Sequence, residues 1–173
     1  GQEGVQSAGT DNLAAEQSLR DAALEGRIEM MAAALDEGAR IYATDEDGRT
    51  ALMYAAFNGH TECVRWLFDR GAKVGEREAV GRTALMFAST GPFPETVRLL
   101  LELGSNPHLA DQYEGWTPLM FAAGEGQLEV IRVLLEHGAK ASDKDFDGDV
   151  AADHAGRNGH PDAEALLRSL KKE

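Results

Sequence analysis

The chain has 173 residues, with 30 acidic and 17 basic side chains and a formal net charge of −13 at pH 7. This charge opposes binding to nucleic acid or anionic lipid and favours a protein partner with a basic surface. The single cysteine, Cys63, excludes an internal disulfide and a cysteine-based zinc site. No apolar run approaches the ~18–20 residues that a membrane helix requires, so we expect no membrane insertion.

A unit of about 33 residues recurs along the chain. The glycines that open successive copies lie 33 or 34 residues apart, at Gly48, Gly81, Gly115 and Gly148. The glycines that close them have the same spacing, at Gly38, Gly71, Gly104 and Gly138. Such a period is typical of a repeat array, in which each unit buries its apolar face against its neighbours. The sequence therefore predicts a stacked binding scaffold.

The chain divides into a lead-in and one repeat domain. Residues 1–12 are polar and contain glycine, which favours a flexible segment. The repeat domain covers residues 13–173, and its end repeats are expected to be atypical caps because one face of each meets water. The five repeats span about 13–44, 45–77, 78–110, 111–144 and 145–173.

The first repeat carries apolar residues at helical spacing from Leu13 to Ala34, with Gly26 between them and Gly38 at the end. This pattern predicts two short antiparallel helices. The Gly-x-Thr opening of the later copies is missing, as expected of a terminal repeat.

The second repeat shows the recurring pattern most clearly. The segment 45–48, Asp-Glu-Asp-Gly, is a turn sequence, and Thr50 follows at the position of a helix N-cap. We predict a short helix over 51–58, a turn at Gly59, and a second helix that begins near Glu62 and stops at Gly71.

The later repeats vary this pattern. Pro94 fits the first turn of a second helix, where a missing amide costs little. The fourth repeat has one extra residue around 112–114, at the turn tip. In the fifth repeat Val150 replaces the capping threonine, and the polar second helix indicates a closing cap, with the basic residues of 171–173 near its end.

The stretch Thr117-Pro118-Leu119-Met120-Phe121-Ala122-Ala123, with Gly126 and Leu134-Leu135 after it, resembles the ankyrin repeat, as do residues 50–60 and 83–88. The resemblance covers roughly residues 13 to 170. It implies an all-α ankyrin-repeat solenoid of about five helix-turn-helix repeats joined by β-turn or hairpin tips. It also implies a non-enzymatic protein-interaction module that binds a partner through the turn tips and the concave first-helix surface.

The chain departs from the family pattern at one position in each repeat. The family often has histidine after the motif leucine, where this chain has Met53, Met86 and Met120. A hydrogen bond that would brace each tip is therefore absent, and we expect thioether packing to replace it in part.

The family's contact positions define the candidate partner-binding residues of this chain. They are Glu46, Asp47, Arg49, Phe57, Asn58, Ala79, Val80, Arg82, Thr90, Gly91, Tyr113, Glu114, Trp116, Glu125, Phe146, Asp147, Asp149 and Arg157.

Among these residues Trp116 is our first choice as an interface anchor, because a large aromatic stands where the sibling repeats have charged residues. The alternative is that Trp116 packs on Tyr113 and only shields the tip.

Three other aromatic residues, Tyr54, Phe87 and Phe121, share one repeat position. Their spacing favours packing between repeats, while partial exposure would make them an apolar binding strip.

The segment Asp143 to Asp149 offers an alternative function, a calcium- or metal-responsive scaffold. Its alternating aspartates followed by Gly148 imitate the start of a calcium loop. The twelfth position is His154, where such a loop requires a bidentate glutamate. The repeat pattern also explains Asp145 and Gly148, since the second repeat has the same residues at the matching places.

The remaining reactive residues do not form a catalytic pattern. His60 and His160 share a position after the turn glycine, which indicates a structural hydrogen bond. Cys63 falls on the apolar side of a helix, which indicates an inert buried thiol. No nucleophile-base or phosphate-binding motif occurs, so we predict no enzyme activity and no cofactor.

The sequence also bears on assembly and compartment. We expect a monomer. The sequence does not begin with methionine, which favours export to a bacterial periplasm or secretion through a removed signal peptide. Excision from a longer protein is the alternative origin, and the cytoplasm is the alternative compartment.

Overall fold

The computed structural model describes the backbone of residues 3–170 and the side chains of residues 12–170. Ten α-helices occupy the described backbone and confirm the all-α fold with five helix-turn-helix units. The helices are α1 (Glu3–Glu25), α2 (Ile28–Asp36), α3 (Ala51–Phe57), α4 (Thr61–Asp69), α5 (Ala84–Ser89), α6 (Pro94–Glu102), α7 (Pro118–Gly124), α8 (Leu128–Glu136), α9 (Ala151–Arg157) and α10 (Pro161–Arg168).

The ten helices stack in two layers. The odd-numbered helices contact one another in the order α1, α3, α5, α7 and α9, and the even-numbered helices from α4 to α10 do the same. We call the exposed side of the odd-numbered layer the first-helix face. Because each helix pair buries its apolar side against the next pair, one hydrophobic core runs through the stack.

Each central repeat begins its first helix with a threonine cap. Thr50 accepts a hydrogen bond from the Met53 amide at 3.3 Å, and the threonines of the next two repeats do the same at 3.4 Å. In the fifth repeat the Val150 amide donates instead to the Asp153 carboxylate at 2.9 Å. The cap at Thr50, predicted from the sequence, is therefore present, and the last repeat satisfies its helix start in a different way.

The three methionines that stand where the ankyrin repeat often has histidine lie in the core. Met53, Met86 and Met120 are 2%, 1% and 2% exposed. Their thioethers therefore fill apolar space between repeats, as the sequence indicates.

The first helix differs most from expectation. Residues 3–12, predicted as part of a flexible lead-in, are helical and continue into the first repeat as the long α1. The carboxylate of Glu16 fixes this helix, because it accepts bonds from the Arg40 amide at 3.1 Å and from Arg40 Nε at 2.6 Å. Residues 1, 2 and 171–173, which include the predicted basic end, lie outside the described residues.

The turn glycines that end the second helices have a left-handed backbone. Gly71 follows α4 with φ of +101° and has no atom within 4 Å of the place where a Cβ would stand. Gly75 has the same open surroundings but lies outside the left-handed region. Because neither site is crowded, substitutions at the two glycines differ in the backbone strain that a Cβ would cause.

We expect Gly71→Ala to lower the free energy of unfolding by about 1–2 kcal/mol, because a Cβ is strained in the left-handed region. Gly75→Ala is the matched control and should be neutral or stabilising by about 0.4–1 kcal/mol, since it only restricts the unfolded chain. Urea unfolding followed by circular dichroism measures both. Equal effects of the two substitutions would contradict the role of Gly71 as the helix stop.

Candidate partner-binding surface

Each turn tip is organised around one acidic side chain. In the second repeat, Asp45 Oδ1 accepts hydrogen bonds from the amides of Asp47 and Arg49, both at 2.9 Å. The same arrangement recurs around Glu78, Asp111 and Asp145. The carboxylate thereby holds the tip backbone in a fixed turn.

Neighbouring tips are joined through their backbones. One amide of each later tip donates to a carbonyl of the tip before it. The three bonds run from Ala79 to Asp47 at 2.9 Å, from Gln112 to Val80 at 2.7 Å and from Phe146 to Glu114 at 3.0 Å. The four tips therefore form one continuous platform.

The second oxygen of the tip carboxylate receives a side-chain donor in three repeats. The Tyr54 hydroxyl donates to Asp45 Oδ2 within the second repeat. Arg82 Nε donates to Asp111 Oδ2 across a repeat boundary at 3.2 Å. These bonds brace the tips from positions other than Met53, Met86 and Met120.

The fourth and fifth repeats share a brace with two side-chain donors. Trp116 Nε1 donates to Asp145 Oδ2 at 3.1 Å, and His154 Nε2 lies 2.8 Å from the same oxygen. Asp145 and His154 are both buried. Burial raises the pKa of Asp145, but hydrogen bonds from backbone amides and from His154 outweigh it and hold that pKa below its ordinary value.

Trp116 is half-buried, and its ring packs against neighbouring side chains. It packs edge-on against Phe121 at 5.4 Å and against His154 at 5.0 Å between ring centroids. The alternative prediction is that Trp116 packs on Tyr113 and only shields the tip. Tyr113 is not among the aromatic neighbours of Trp116, and it is 69% exposed. The role of Trp116 as an interface anchor stays a prediction, and the structure shows a bridge between two repeats at this position.

The structure leaves all the candidate contact residues exposed or half-buried. The exposed ones are Glu46, Asp47, Phe57, Asn58, Ala79, Tyr113, Glu125, Phe146, Asp147 and Arg157. The half-buried ones are Arg49, Val80, Arg82, Thr90, Gly91, Glu114, Trp116 and Asp149. Two of them form ion pairs within their own repeats, Arg49 with Asp47 and Arg157 with Asp149.

The aromatic residues Tyr54, Phe87 and Phe121 are all half-buried, so they contribute to packing and also line the first-helix face. Phe57 stands beside them and meets Phe87 edge-on, with 6.4 Å between ring centroids. Leu24 also lies at this face, and the sequence analysis did not identify it. Leu24 occupies in the first repeat the position that Phe57 occupies in the second, and this correspondence would have identified it.

The acidic turn of the fifth repeat brings together Asp145, Asp149 and His154, whose potential ligand atoms lie within 4.8 Å of one another. Asp143 and Asp147 of the sequence hypothesis do not join this group. Each oxygen of Asp145 already accepts from two donors, and Asp149 pairs with Arg157 at 3.1 Å. Hydrogen bonding within the fold accounts for this cluster, and the metal-responsive alternative receives no support from it.

The other reactive side chains have structural surroundings. His60 Nε2 lies 2.9 Å from the Leu24 carbonyl and links the first two repeats. Cys63 is buried, and burial raises the pKa of its thiol, which opposes formation of a nucleophilic thiolate. In the part of the chain that the structure describes, no helix has the length and apolar character needed to cross a bilayer.

We expect Trp116→Phe to lower the free energy of unfolding by about 1–3 kcal/mol through loss of the bond to Asp145, because a buried carboxylate then loses a donor. Trp66→Phe is the matched control. Trp66 is also half-buried, and its ring packs on the Arg70 guanidinium at 3.8 Å. Denaturant unfolding of both variants gives the difference, and a loss at Trp116 no larger than at Trp66 would contradict the bridge.

Stability should also depend on the tip carboxylates below about pH 5. Burial raises the pKa of Asp45, but hydrogen bonds from Tyr54 and from the Arg49 and Asp47 amides hold it below its ordinary value. A carboxyl whose pKa is lowered on folding stabilises the protein above its unfolded pKa of about 3.9, and that stability is lost as pH falls through the folded pKa. Urea unfolding across this range should therefore show a falling free energy of unfolding.

The variant Asp45→Asn isolates this contribution, because the amide oxygen still accepts from the tip backbone while the charge is gone. In this variant the free energy of unfolding should decline less steeply with falling pH than in the wild type. Glu46→Gln removes the same charge from an exposed neighbour and should leave the slope unchanged. Identical slopes in Asp45→Asn and the wild type would rule out this source of acid sensitivity.

A comparison with protein families agrees with this geometry. A family model described as ankyrin repeats (3 copies) matches residues 19–111 and 91–172. Comparison with curated proteins gives no match. The two family matches extend from the first helix pair to the last and cover most of the sequence. The chain therefore belongs to the ankyrin repeat family.

Proposed function

We propose that this chain is a non-enzymatic interaction module that binds a basic surface of another protein through its turn tips and its first-helix face. Ankyrin repeats are generally protein-protein interaction modules and are typically non-enzymatic. The observation that carries the proposal is a pair of aromatic rings at consecutive tips. Tyr113 in the fourth tip is 69% exposed, and Phe146 in the fifth is 70% exposed.

The two rings stand on a rigid support. Phe146 donates its amide to Glu114 at 3.0 Å, and its ring lies over Gly115, where an added Cβ would meet Phe146 Cδ1 at 2.6 Å. Tyr113 belongs to the same braced fourth tip. Because the tip backbone is already ordered, a partner that covers these rings gains contact area at a small further entropy cost.

An acidic residue follows each ring in the sequence. Glu114 lies between Tyr113 and the glycine that Phe146 covers, and Asp147 follows Phe146 as an exposed side chain. Together with the net charge of −13, these carboxylates favour approach of a basic surface and repel a second copy of the chain. The proposal therefore includes a monomeric state for the free protein.

The double variant Tyr113→Ala/Phe146→Ala tests this surface. Affinity capture from an extract of the native host should retain a partner on the wild-type chain and lose most of it on the variant, because truncating exposed aromatic anchors costs on the order of 2 kcal/mol each at an interface. Quantitative mass spectrometry of the retained proteins measures the loss.

Tyr42→Ala is the matched control, since Tyr42 is 64% exposed and lies outside the tips. It should retain the same proteins as the wild type. Circular dichroism should show that all three proteins are equally folded. Retention of the same proteins by the double variant would contradict the tip surface, and absence of any specifically retained protein would contradict the interaction function.

A further inference from the structure

The fifth tip differs from the other three in the pairing of one backbone carbonyl. The carbonyls of Asp47, Val80 and Glu114 each accept an amide of the following tip, at 2.9, 2.7 and 3.0 Å. The equivalent carbonyl of the fifth tip belongs to Asp147, and no donor among the described residues reaches it. The platform therefore ends in a backbone acceptor that is open to a donor from outside the fold.

The turn glycine of the fifth tip shows the same difference. A Cβ added at Gly115 would meet Phe146 Cδ1 at 2.6 Å, because the fifth tip lays this ring over the glycine of the fourth. At Gly148, within the part of the chain that the structure describes, no atom lies within 4 Å of that place. Gly115 is buried and Gly148 is exposed. We call the Asp147 carbonyl and Gly148 together the tip edge.

Hydrogen bonds hold the tip edge in the conformation of the paired tips. Asp145 Oδ1 accepts from the amides of Asp147 and Asp149, both at 2.9 Å. The Phe146 amide donates to the Glu114 carbonyl at 3.0 Å. Because these bonds fix the turn without a ligand, a segment that pairs with the tip edge loses less entropy than one that must first order its site.

The helices of the fifth repeat carry charge where the central repeats are apolar. Asp153 occupies the repeat position of the three core methionines. Arg168 bonds to Asp153 at 3.1 Å and to Glu164 at 3.0 Å, and its side chain is 51% exposed. Covering these charges with a further apolar helix pair would cost desolvation energy. The repeat therefore favours an occupant that pairs with the tip edge and stacks no helices on the array.

The side chain beside the tip edge determines which charge fits there. At the interior boundaries Arg82 and Trp116 occupy one repeat position, and each donates to the acid of the following tip. The fifth repeat has Asp149 at this position. One oxygen of Asp149 accepts from Arg157 at 3.1 Å, and the other has no donor in residues 12–170. A segment at the tip edge therefore fits with a cation where a following tip would have its acid.

We infer that the tip edge binds an extended or turn segment of the partner protein by backbone pairing. An amide of the segment donates to the Asp147 carbonyl, the adjoining side chain covers Gly148, and a lysine or arginine pairs with Asp149. Main-chain bonds at an exposed edge supply affinity in such complexes, and side chains supply specificity. This inference rests on the proposed function and specifies the partner's segment. A second copy of the chain does not fit, because its second tip would bring Asp45 and Glu46 to Asp149.

Selection from a random peptide display library on the immobilised full chain provides the probe. The enriched peptides should share lysine or arginine within a few positions of a large side chain. A synthetic peptide of the enriched sequence is then titrated with each protein variant, and fluorescence anisotropy gives the dissociation constants. A selection that enriches no such peptide would contradict the inference.

Gly148→Asn places a side chain where the segment would cover the glycine. Asparagine tolerates the left-handed φ of +84° at this position, so the turn should persist. We expect the affinity for the peptide to fall roughly tenfold or more. Gly159→Asn is the matched control, because Gly159 has a φ of +79°, similarly open surroundings and a place in the turn between α9 and α10. Circular dichroism should show both variants folded, and equal losses of affinity would overturn the tip edge.

Single N-methylation along the peptide tests the backbone bond. Methylation of one amide should weaken binding by about tenfold or more through loss of the donor, and methylation at the other amides should have smaller effects. In NMR spectra of the ¹³C-labelled protein, the Asp147 carbonyl resonance should shift when the peptide binds. An unchanged Asp147 resonance would overturn backbone pairing at this site.

Asp149→Asn tests the charge at the tip edge. This variant should bind the peptide several-fold more weakly and with less dependence on salt. Asp162→Asn removes the same charge from an exposed position on α10 and should bind as the wild type does. Equal effects of the two substitutions would show that overall charge attracts the peptide, and would contradict the contact with Asp149.

Partner capture separates the tip edge from the proposed function. A partner that is lost on both Gly148→Asn and Tyr113→Ala/Phe146→Ala would support both. A partner that is retained by Gly148→Asn and lost on Tyr113→Ala/Phe146→Ala would overturn the tip edge and leave the proposed function in place. Absence of any specifically retained protein on the wild-type chain would contradict the proposed function itself.

Discussion

The array depends on one recurring interaction, the hydrogen bonds that a tip carboxylate accepts from two backbone amides of its own turn. Asp45, Glu78, Asp111 and Asp145 all make these bonds. Without them the tip amides would lose protein partners, and a turn with unsatisfied donors would not hold one conformation. A buried carboxylate in turn requires further donors, because an uncompensated buried charge is costly. Tyr54, Arg82, Trp116 and His154 supply those donors, and two of these bonds cross between repeats. At the fourth and fifth tips, the requirement to satisfy the buried acid thus links neighbouring repeats.

This linkage divides the aromatic side chains of the tips into two groups. Trp116 turns towards Asp145 and His154 and bridges two repeats, whereas Tyr113 and Phe146 remain exposed. The inward ring fixes the platform on which the outward rings stand. An interface built on such a platform loses little conformational entropy when it binds, so rigidity in the network and exposure at the tips contribute to the same function.

Much of the fold follows from local sequence. The glycine period, the threonine caps and the helix stops each depend on residues a few positions apart, and the structure has the caps and left-handed glycines at the expected places. The helical start of α1 was missed because a polar segment with glycines indicates flexibility. The tip braces were missed because they join residues far apart in the sequence, since Arg82 with Asp111 and Trp116 with Asp145 are each separated by 29 positions. Composition alone does not tell whether an aromatic residue at a contact position faces a partner or a neighbouring repeat.

The tips of the last two repeats and the first-helix face are separate parts of one stack. The two exposed rings of the tips offer limited apolar area, so the tips alone would hold a basic segment weakly. A partner that engaged both would bind the second site as an intramolecular step, with an effective concentration set by the length of chain between its two contacts. Because the stack fixes the separation of the two sites, only a partner with matching spacing would gain this advantage. Specificity in such an array arises from the spacing of modest contacts as much as from the chemistry of any one of them.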